Sequence, residues 1–331
     1  MQSRITLQDI ADQCGFSKSM VAQVMRNPVG SSATQNTKKV ILETARKLNY
    51  RPNHAAKVLS TNQNYTIGVI MPSIGGFYYE LAVELESVLT AHGYYSLFSY
   101  WTVIDSDGTG ADEAIARIIQ HGVDGIITVQ YYPELAEIGV PVVTYGNERQ
   151  LMDCVYPNKV KSLREAVKYL IEKGHRKIAF IGMKGDVRQI HVRDIFNENG
   201  IEVNEDWIIE KYHTVYEDGY KAMRDLLEGK EMPTALITHS DLIAIGAIKF
   251  ANEAGIRIPD DISIISYDNL RQAEFSIPAL STFDQCYKKA ASLLVKAIME
   301  RIKNPNKPQQ KYSFEMPLVE RDSVKNITHI L

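Results

Sequence analysis

Leu7-Gln-Asp-Ile-Ala-Asp-Gln-Cys-Gly-Phe-Ser-Lys-Ser-Met-Val-Ala-Gln-Val-Met-Arg26 sets two short amphipathic stretches on either side of Gly15-Phe16-Ser17. Thr6 stands where a helix cap belongs and Asp9 at the third helical position, the two halves of a capping box. Leu7, Ile10, Ala11 and Cys14 then share one face at i, i+3, i+4 and i+7. After the glycine turn, Ser17 is placed to cap a second helix with the apolar stripe Met20, Val21, Val24 and Met25. Lys18, Ser19, Ala22, Gln23 and Arg26 are left facing outward. Such a pair reads as a helix-turn-helix, whose second helix enters the DNA major groove by its N-terminal end. Lys18, Ser19 and Gln23 occupy that end. Lys18 suits guanine O6 and N7 and Gln23 an adenine edge, the alternative for both being phosphate contact or solvation.

A third helix, capped near Asn36 or Thr37, carries Val40, Ile41, Thr44, Ala45 and Leu48 and closes a three-helix core. Beyond it, Asn53 offers a cap for only about six helical residues, too few for a stable isolated helix in water, so this segment is expected to order on binding.

Charge separates this head from the rest. Residues 1–60 hold nine Lys and Arg against three acids, although the 331-residue chain has a net charge of -3. A basic head on an acidic body points to a polyanion partner for the head alone. The composition, 45% hydrophobic and 23% charged, is that of a globular protein with more than one core and excludes collagen, coiled coil and wholesale disorder. No run of eighteen apolar residues is present and residues 1–10 lack the apolar stretch of a signal peptide, so a cytoplasmic protein without membrane contact is expected. Cys14, Cys154 and Cys286 are odd in number and far apart, and are expected to be reduced and buried, with no disulfide or zinc site.

From residue 66 the pattern changes to buried strands alternating with amphipathic helices. Strands are expected at 66–71, 95–100, 125–129, 140–145, 177–182, 207–211, 235–238 and 262–267. Helices are expected at 77–91, 112–121, 161–173, 190–199, 219–228, 242–253 and 287–303. This many alternating units predicts an α/β core of two doubly wound parallel-sheet lobes. The cleft between them, at the carboxyl ends of the strands, is the expected ligand pocket.

Leu7-Gln-Asp-Ile-Ala11, Gly15-Phe-Ser17, Leu48-Asn-Tyr-Arg-Pro-Asn53 and Ala55-Ala-Lys-Val-Leu59 resemble the headpiece and hinge of the lactose/galactose repressor family of bacterial transcriptional regulators. In the body, Val123-Asp-Gly-Ile-Ile127, Gly139-Val-Pro-Val-Val143, Ile258-Pro-Asp-Asp-Ile-Ser263, Tyr267-Asp-Asn269 and Pro317-Leu-Val-Glu-Arg321 fit the same pattern, similar to periplasmic sugar-binding proteins. The resemblance implies a helix-turn-helix headpiece at 1–52, a hinge helix and linker at 53–64, and a two-lobed effector-binding and dimerisation core at 65–331. It implies a homodimer on a near-palindromic operator, with Thr6, Leu7, Ser17, Lys18, Ser19, Ala22, Gln23 and Arg26 in the headpiece contact. The hinge residues Asn53, His54, Ala56 and Lys57 would lie at the minor groove, with Leu59 wedged into the central base step. A buried linker position is the alternative for Leu59. No heptad repeat follows the last motif, which favours the dimer over a tetramer.

The chain also departs from that pattern. The family's Thr-Val-Ser-Arg in the recognition helix reads Met20-Val-Ala-Gln23, and a following Asn is Arg26. Its Asn-Pro-Phe-Phe loop becomes Gly75-Gly-Phe-Tyr78, and its Asp-Asn-x-x-Gly becomes Asn158-Lys-Val-Lys-Ser162. For effector contact the resemblance carries over Asp268, Arg188, and the pair Ser240 and Asp241, with turn, cap or surface roles as the alternatives. Strand tips bearing Tyr100, Trp101, Tyr131, Tyr132 and Tyr145, with Phe77 and Tyr78, either line one cleft as aromatic walls for a sugar or other planar ligand, or pack in cores and at a dimer face.

No dinucleotide fingerprint, phosphate loop, nucleophile elbow or His-Glu-x-x-His motif occurs, and His175 reads as structural. The expectation is therefore a ligand-responsive repressor with no catalytic residue, metal or cofactor. A small-molecule receptor or sugar-active enzyme without operator function is the alternative. Inducer and corepressor remain equally open.

Overall fold

The computed structural model describes residues 5–26, 30–51, 58, 63–73, 75–101, 109–130, 132–146, 152–211, 215–229 and 231–328. The chain divides into two compact units, Met1–Gln63 and Asn64–Leu331. In the small unit, α1 spans Leu7–Cys14, α2 Lys18–Arg26 and α3 Gln35–Lys47. The capping box at α1 is formed: Thr6 N–H donates to Asp9 Oδ2 at 2.7 Å, and Asp9 N–H donates to Thr6 Oγ1 at 3.3 Å. Gly15, at φ 72°, ends the helix in the left-handed conformation that glycine adopts without strain. Ser17 Oγ accepts from Met20 N–H at 3.2 Å and so starts α2. Ile10, Val21, Val24 and Ile41 form the fully buried centre of the three-helix core. Thr34, rather than Asn36 or Thr37, caps α3, because its extended backbone lets Oγ1 accept from Thr37 N–H at 3.2 Å.

The larger unit is built on two six-stranded sheets. The first lobe takes β1 (Thr66–Pro72), α4 (Phe77–Ala91), β2 (Tyr95–Trp101), α5 (Thr109–His121), β3 (Gly125–Thr128), β4 (Val142–Tyr145) and β5 (Asp153–Pro157). The second takes α6 (Lys159–Glu172), β6 (Ile178–Met183), α7 (Val187–Glu198), β7 (Ile208–Lys211), α8 (Tyr216–Leu227), β8 (Ala235–Thr238), α9 (Asp241–Glu253), β9 (Ser263–Asp268), α10 (Arg271–Glu274) and β10 (Ser281–Asp284). The chain then returns to the first lobe with α11 (Tyr287–Lys303) and β11 (Lys311–Phe314), and ends in the second with β12 (Leu318–Val319). The strand orders are β11-β5-β4-β3-β1-β2 and β12-β10-β9-β8-β6-β7, parallel throughout except for the β10–β12 pair.

Helices cover both faces of each sheet, so the central strands are apolar and buried without alternation, as in Ile67, Val69, Ile70 and Met71 of β1. Leu294, Val295 and Ile298 of α11 complete the first lobe's core against Val69, Ile127 and Val143. Gly219 of α8 and Gly246 of α9 sit where a Cβ on either would run into the other helix's backbone, which allows that pair to pack at very close range. His175 is structural, its ring nitrogens each 3.0 Å from a partner, Thr234 Oγ1 and the Lys325 carbonyl.

The eight strands and seven helices expected from periodicity are present, with small shifts at their ends. The strands β5, β10, β11 and β12 were not expected. They are short and carry Asp153, Ser281, Thr282, Lys311 and Ser313, so no apolar run marks them. Of the cysteines only Cys154 is buried, whereas Cys14 and Cys286, each at a helix terminus, are half-buried against the margins of their cores. No helix among the described residues is long and apolar enough to cross a membrane.

Candidate functional site

In the small unit, Lys18, Ser19 and Gln23 are exposed on the first turns of α2 and Ala22 is half-buried. Ser17 and Thr6 spend their hydroxyls on caps, and Leu7 packs half-buried onto the core. Gln23 Nε2 donates to Ser32 Oγ at 3.1 Å, a bond it must release to read a base edge with both amide atoms. The side chain of Arg26, and Asn53, His54, Ala56, Lys57 and Leu59 altogether, lie outside the described residues.

In the large unit a cavity of about 690 Å³ lies between the lobes, where α4, α6, α7 and α9 begin. This volume suits a small metabolite. At its centre is an ion cluster. Asp186 caps α7, and its Oδ1 accepts from both the backbone N–H and the Nε of Arg188 at 2.9 Å, while Oδ2 accepts from Lys159 Nζ at 2.8 Å. Burial alone would raise this carboxyl, but the charges of Arg188 and Lys159 outweigh it and hold Asp186 well below the usual carboxylate range.

Arg188, 1% exposed, lies over the Tyr267 ring at 4.2 Å from its centroid and donates to His239 Nδ1 at 2.8 Å. Because arginine can only donate, Nδ1 of His239 must offer its lone pair, which places the ring proton on Nε2. Burial and the adjacent Arg188 charge push His239 well below the normal imidazole range, so it is neutral.

Asp268 ends β9 at φ 116°, a left-handed backbone that stores strain at this position. Its Oδ1 accepts from Gln285 Nε2 at 3.0 Å, and its carbonyl accepts from the Tyr287 hydroxyl at 2.7 Å. Burial pushes the Asp268 carboxyl up, offset in part by Gln285 and Arg188. Ser240 lines the cavity as the cap of α9.

Asp241 does not line it. Fully buried behind Ser240, Asp241 accepts from Thr282 Oγ1 at 2.7 Å and from Leu270 N–H at 2.8 Å, which ties the loop after β9 to the sheet. Burial, then the charge of Asp268, pushes its carboxyl up as well.

The aromatic tips divide into two groups. Phe77, Tyr78 and Tyr145 reach the cavity, with the Phe77 ring 5.1 Å from both Tyr78 and Tyr145. Tyr100 does not: it is 46% exposed and stacks on Phe98, because residue i+2 of the edge strand β2 shares its face. Trp101 and Tyr132 make an edge-to-face pair away from the cavity, and Tyr131 lies outside the described residues. Sequence reasoning missed Asp186, His239 and Gln285 and took Lys159 only as a departure from a motif. Asp186 had a usable signal, an Asp just ahead of a helix; His239 and Gln285 had none.

The family model for bacterial regulatory proteins of the lacI family matches residues 6–53, and that for the periplasmic binding protein-like domain matches residues 167–324. The HTH-type transcriptional repressor PurR of Proteus mirabilis is 30% identical over 338 residues, 96% of this chain and 96% of the relative. Among solved structures, the Lac repressor dimer bound to operator and the anti-inducer ONPF superposes with a TM-score of 0.81 at 21% identity, over 98% of this chain and 100% of that one. The complex of the transcriptional regulator CelR with cellobiose gives 0.70 at 23% identity, over 97% and 100%. At these identities the two structures speak for the fold.

Proposed function

Because the chain belongs to the lacI family of bacterial regulatory proteins, we propose that it is a cytoplasmic, homodimeric repressor whose hold on a near-palindromic operator is set by a small molecule in the interlobe cleft. The observation that carries this reading is the union in one chain of a capped helix-turn-helix, with Lys18, Ser19 and Gln23 exposed, and a two-lobed unit with a polar, aromatic-walled cavity. Residues 1–52 form the DNA-reading headpiece, 53–64 the hinge and linker, and 65–331 the effector-binding and dimerisation core. Lys18, Ser19 and Gln23 read base edges, with Thr6, Leu7, Ser17, Ala22 and Arg26 supporting the approach. Asn53, His54, Ala56 and Lys57 follow the minor groove, and Leu59 wedges the central step.

The effector, a sugar or related metabolite, rests on Phe77 and Tyr78 and is held by Arg188, Ser240 and Asp268. A buried carboxyl suits its hydroxyls, as acceptor and, when protonated, as donor, and a ring face suits its C–H face. The mechanism is linkage: a ligand that favours one lobe arrangement changes hinge placement, and by reciprocity operator DNA changes ligand affinity by the same factor. The repressor relatives support a regulator rather than an enzyme.

The test is selection of bound duplexes from a randomised DNA pool with the full-length protein at moderate salt, with and without a metabolite panel. An enriched near-palindrome with a flexible centre is the expected result, and no enrichment under any condition would refute operator binding.

A further inference from the structure

The charge of the cleft says more about its ligand than its shape does. Lys159, Lys184 and Arg188 line the cavity as cations against the acids Asp186 and Asp268. Asp186 touches both the half-buried Lys159 and the buried Arg188 and can neutralise only one of them, so the triad keeps a net positive charge. Burial favours the neutral form of Asp268, so it offsets that charge only in part.

Neighbouring groups add donors rather than acceptors. Asn158 spends its Oδ1 on the Lys161 N–H, which leaves its amide NH₂ for the cavity, and the Ser240 Oγ accepts from Ile243 N–H, which leaves its proton to donate. A neutral polyol gives this excess no counter-charge, whereas an anionic group would complete it through charge-assisted hydrogen bonds.

Resting on the cleft as effector site, we propose that the effector carries an anionic group, a phosphate ester or a carboxylate, bound by Lys159 and the Asn158 amide, with the remainder of the molecule against Phe77, Tyr78 and Tyr145. Lys159 supplies the compact point charge that a tetrahedral or planar oxyanion accepts from several directions.

The experiment uses the full-length protein and inorganic phosphate as probe, with chloride at matched ionic strength as control. Thermal melts of wild type, Lys159→Gln and Lys159→Arg are followed by calorimetric titration with a hexose, its 6-phosphate and the corresponding hexuronate. Phosphate is expected to raise the melting temperature of wild type, with affinity reduced about tenfold or more in Lys159→Gln and largely restored in Lys159→Arg. Phosphate binding at the basic head would be equal in all three proteins. The 6-phosphate and hexuronate arms tell which oxyanion is preferred.

Absence of phosphate stabilisation in wild type, or stabilisation of equal size in Lys159→Gln, would overturn the proposal. So would tighter binding of the neutral hexose that Lys159→Gln leaves unchanged, a result that would keep the cleft as effector site. Lys159-dependent ligand binding to which operator affinity is indifferent would instead support the anion site and remove the regulatory coupling.

Discussion

Gln285 donates its side-chain amide to Asp268 at 3.0 Å while its carbonyl oxygen accepts the Tyr145 hydroxyl at 3.1 Å. One residue in the crossing segment between β10 and α11 thereby joins the end of β9 in the second lobe to the tip of β4 in the first. All three side chains are buried, so each depends on the others for its hydrogen bonds. Gln285→Leu leaves the Asp268 carboxylate and the Tyr145 hydroxyl short of partners at a cost of about 1–3 kcal/mol each. The expected outcome is a lowered urea midpoint together with a weakened effector response, and an unchanged midpoint would show that the bridge does not form in solution.

Asp268→Ala is expected to abolish the effector response while leaving operator affinity within about twofold, because the substitution is confined to the unit that does not carry the helix-turn-helix. Operator titrations with and without effector check the first part. A calorimetric ligand isotherm identical to that of wild type would remove Asp268 from the site.

Leu59→Ala should reduce operator affinity by about tenfold or more while leaving dimerisation and ligand binding intact, since a wedging apolar side chain offsets the unstacking of the step it enters. A fluorescence-anisotropy titration on the selected operator measures this. Equal affinity for the two proteins would refute the wedge.

The buried imidazole of His239 gives a signed pH dependence. Its folded value lies well below the unfolded one near 6.5, so below that pH the unfolded chain takes up a proton that the folded chain refuses. The stability contribution is complete above about pH 6.5 and is lost as pH falls, by at most about 1.4 kcal/mol per pH unit. Asp241 and Asp268, pushed up to about 8 and about 7, act in the opposite sense, losing stability as pH rises from about 4 through those values. This overlaps the His239 range, so the His239 effect is read from the difference between wild type and a His239 variant, in which the carboxyl contributions cancel. Urea unfolding at pH 7.5, 6.5 and 5.5 should therefore show wild type losing ground to His239→Gln as the pH drops. A constant difference would mean that His239 titrates normally.

Local signals made the head and most of the body legible in the chain itself. A cap, a three-residue glycine turn and an apolar stripe each act within a few residues, and the Thr6–Asp9 box, the Ser17 cap and the Ile10–Val21–Ile41 core follow from them. The same holds for β1, β3, β4, β6, β8 and β9, where burial on both faces leaves a run of hydrophobic side chains.

What only the tertiary structure decided is where the chain crosses. β11 pairs with β5 across more than 150 residues, in register from Lys311 with Cys154 to Phe314 with Pro157, and neither strand announces its partner. That pairing is selected by the burial and backbone hydrogen bonds of the assembled sheet, which no local pattern encodes. The cleft follows from the crossings: Lys159 lies just past one of them and Gln285 within another, while Asp186, Arg188 and His239 meet only because β6 and β8 are neighbours in the sheet. Residue types were readable in advance, but the chemistry of the site is set by distances between elements, and those are fixed by packing rather than by sequence spacing.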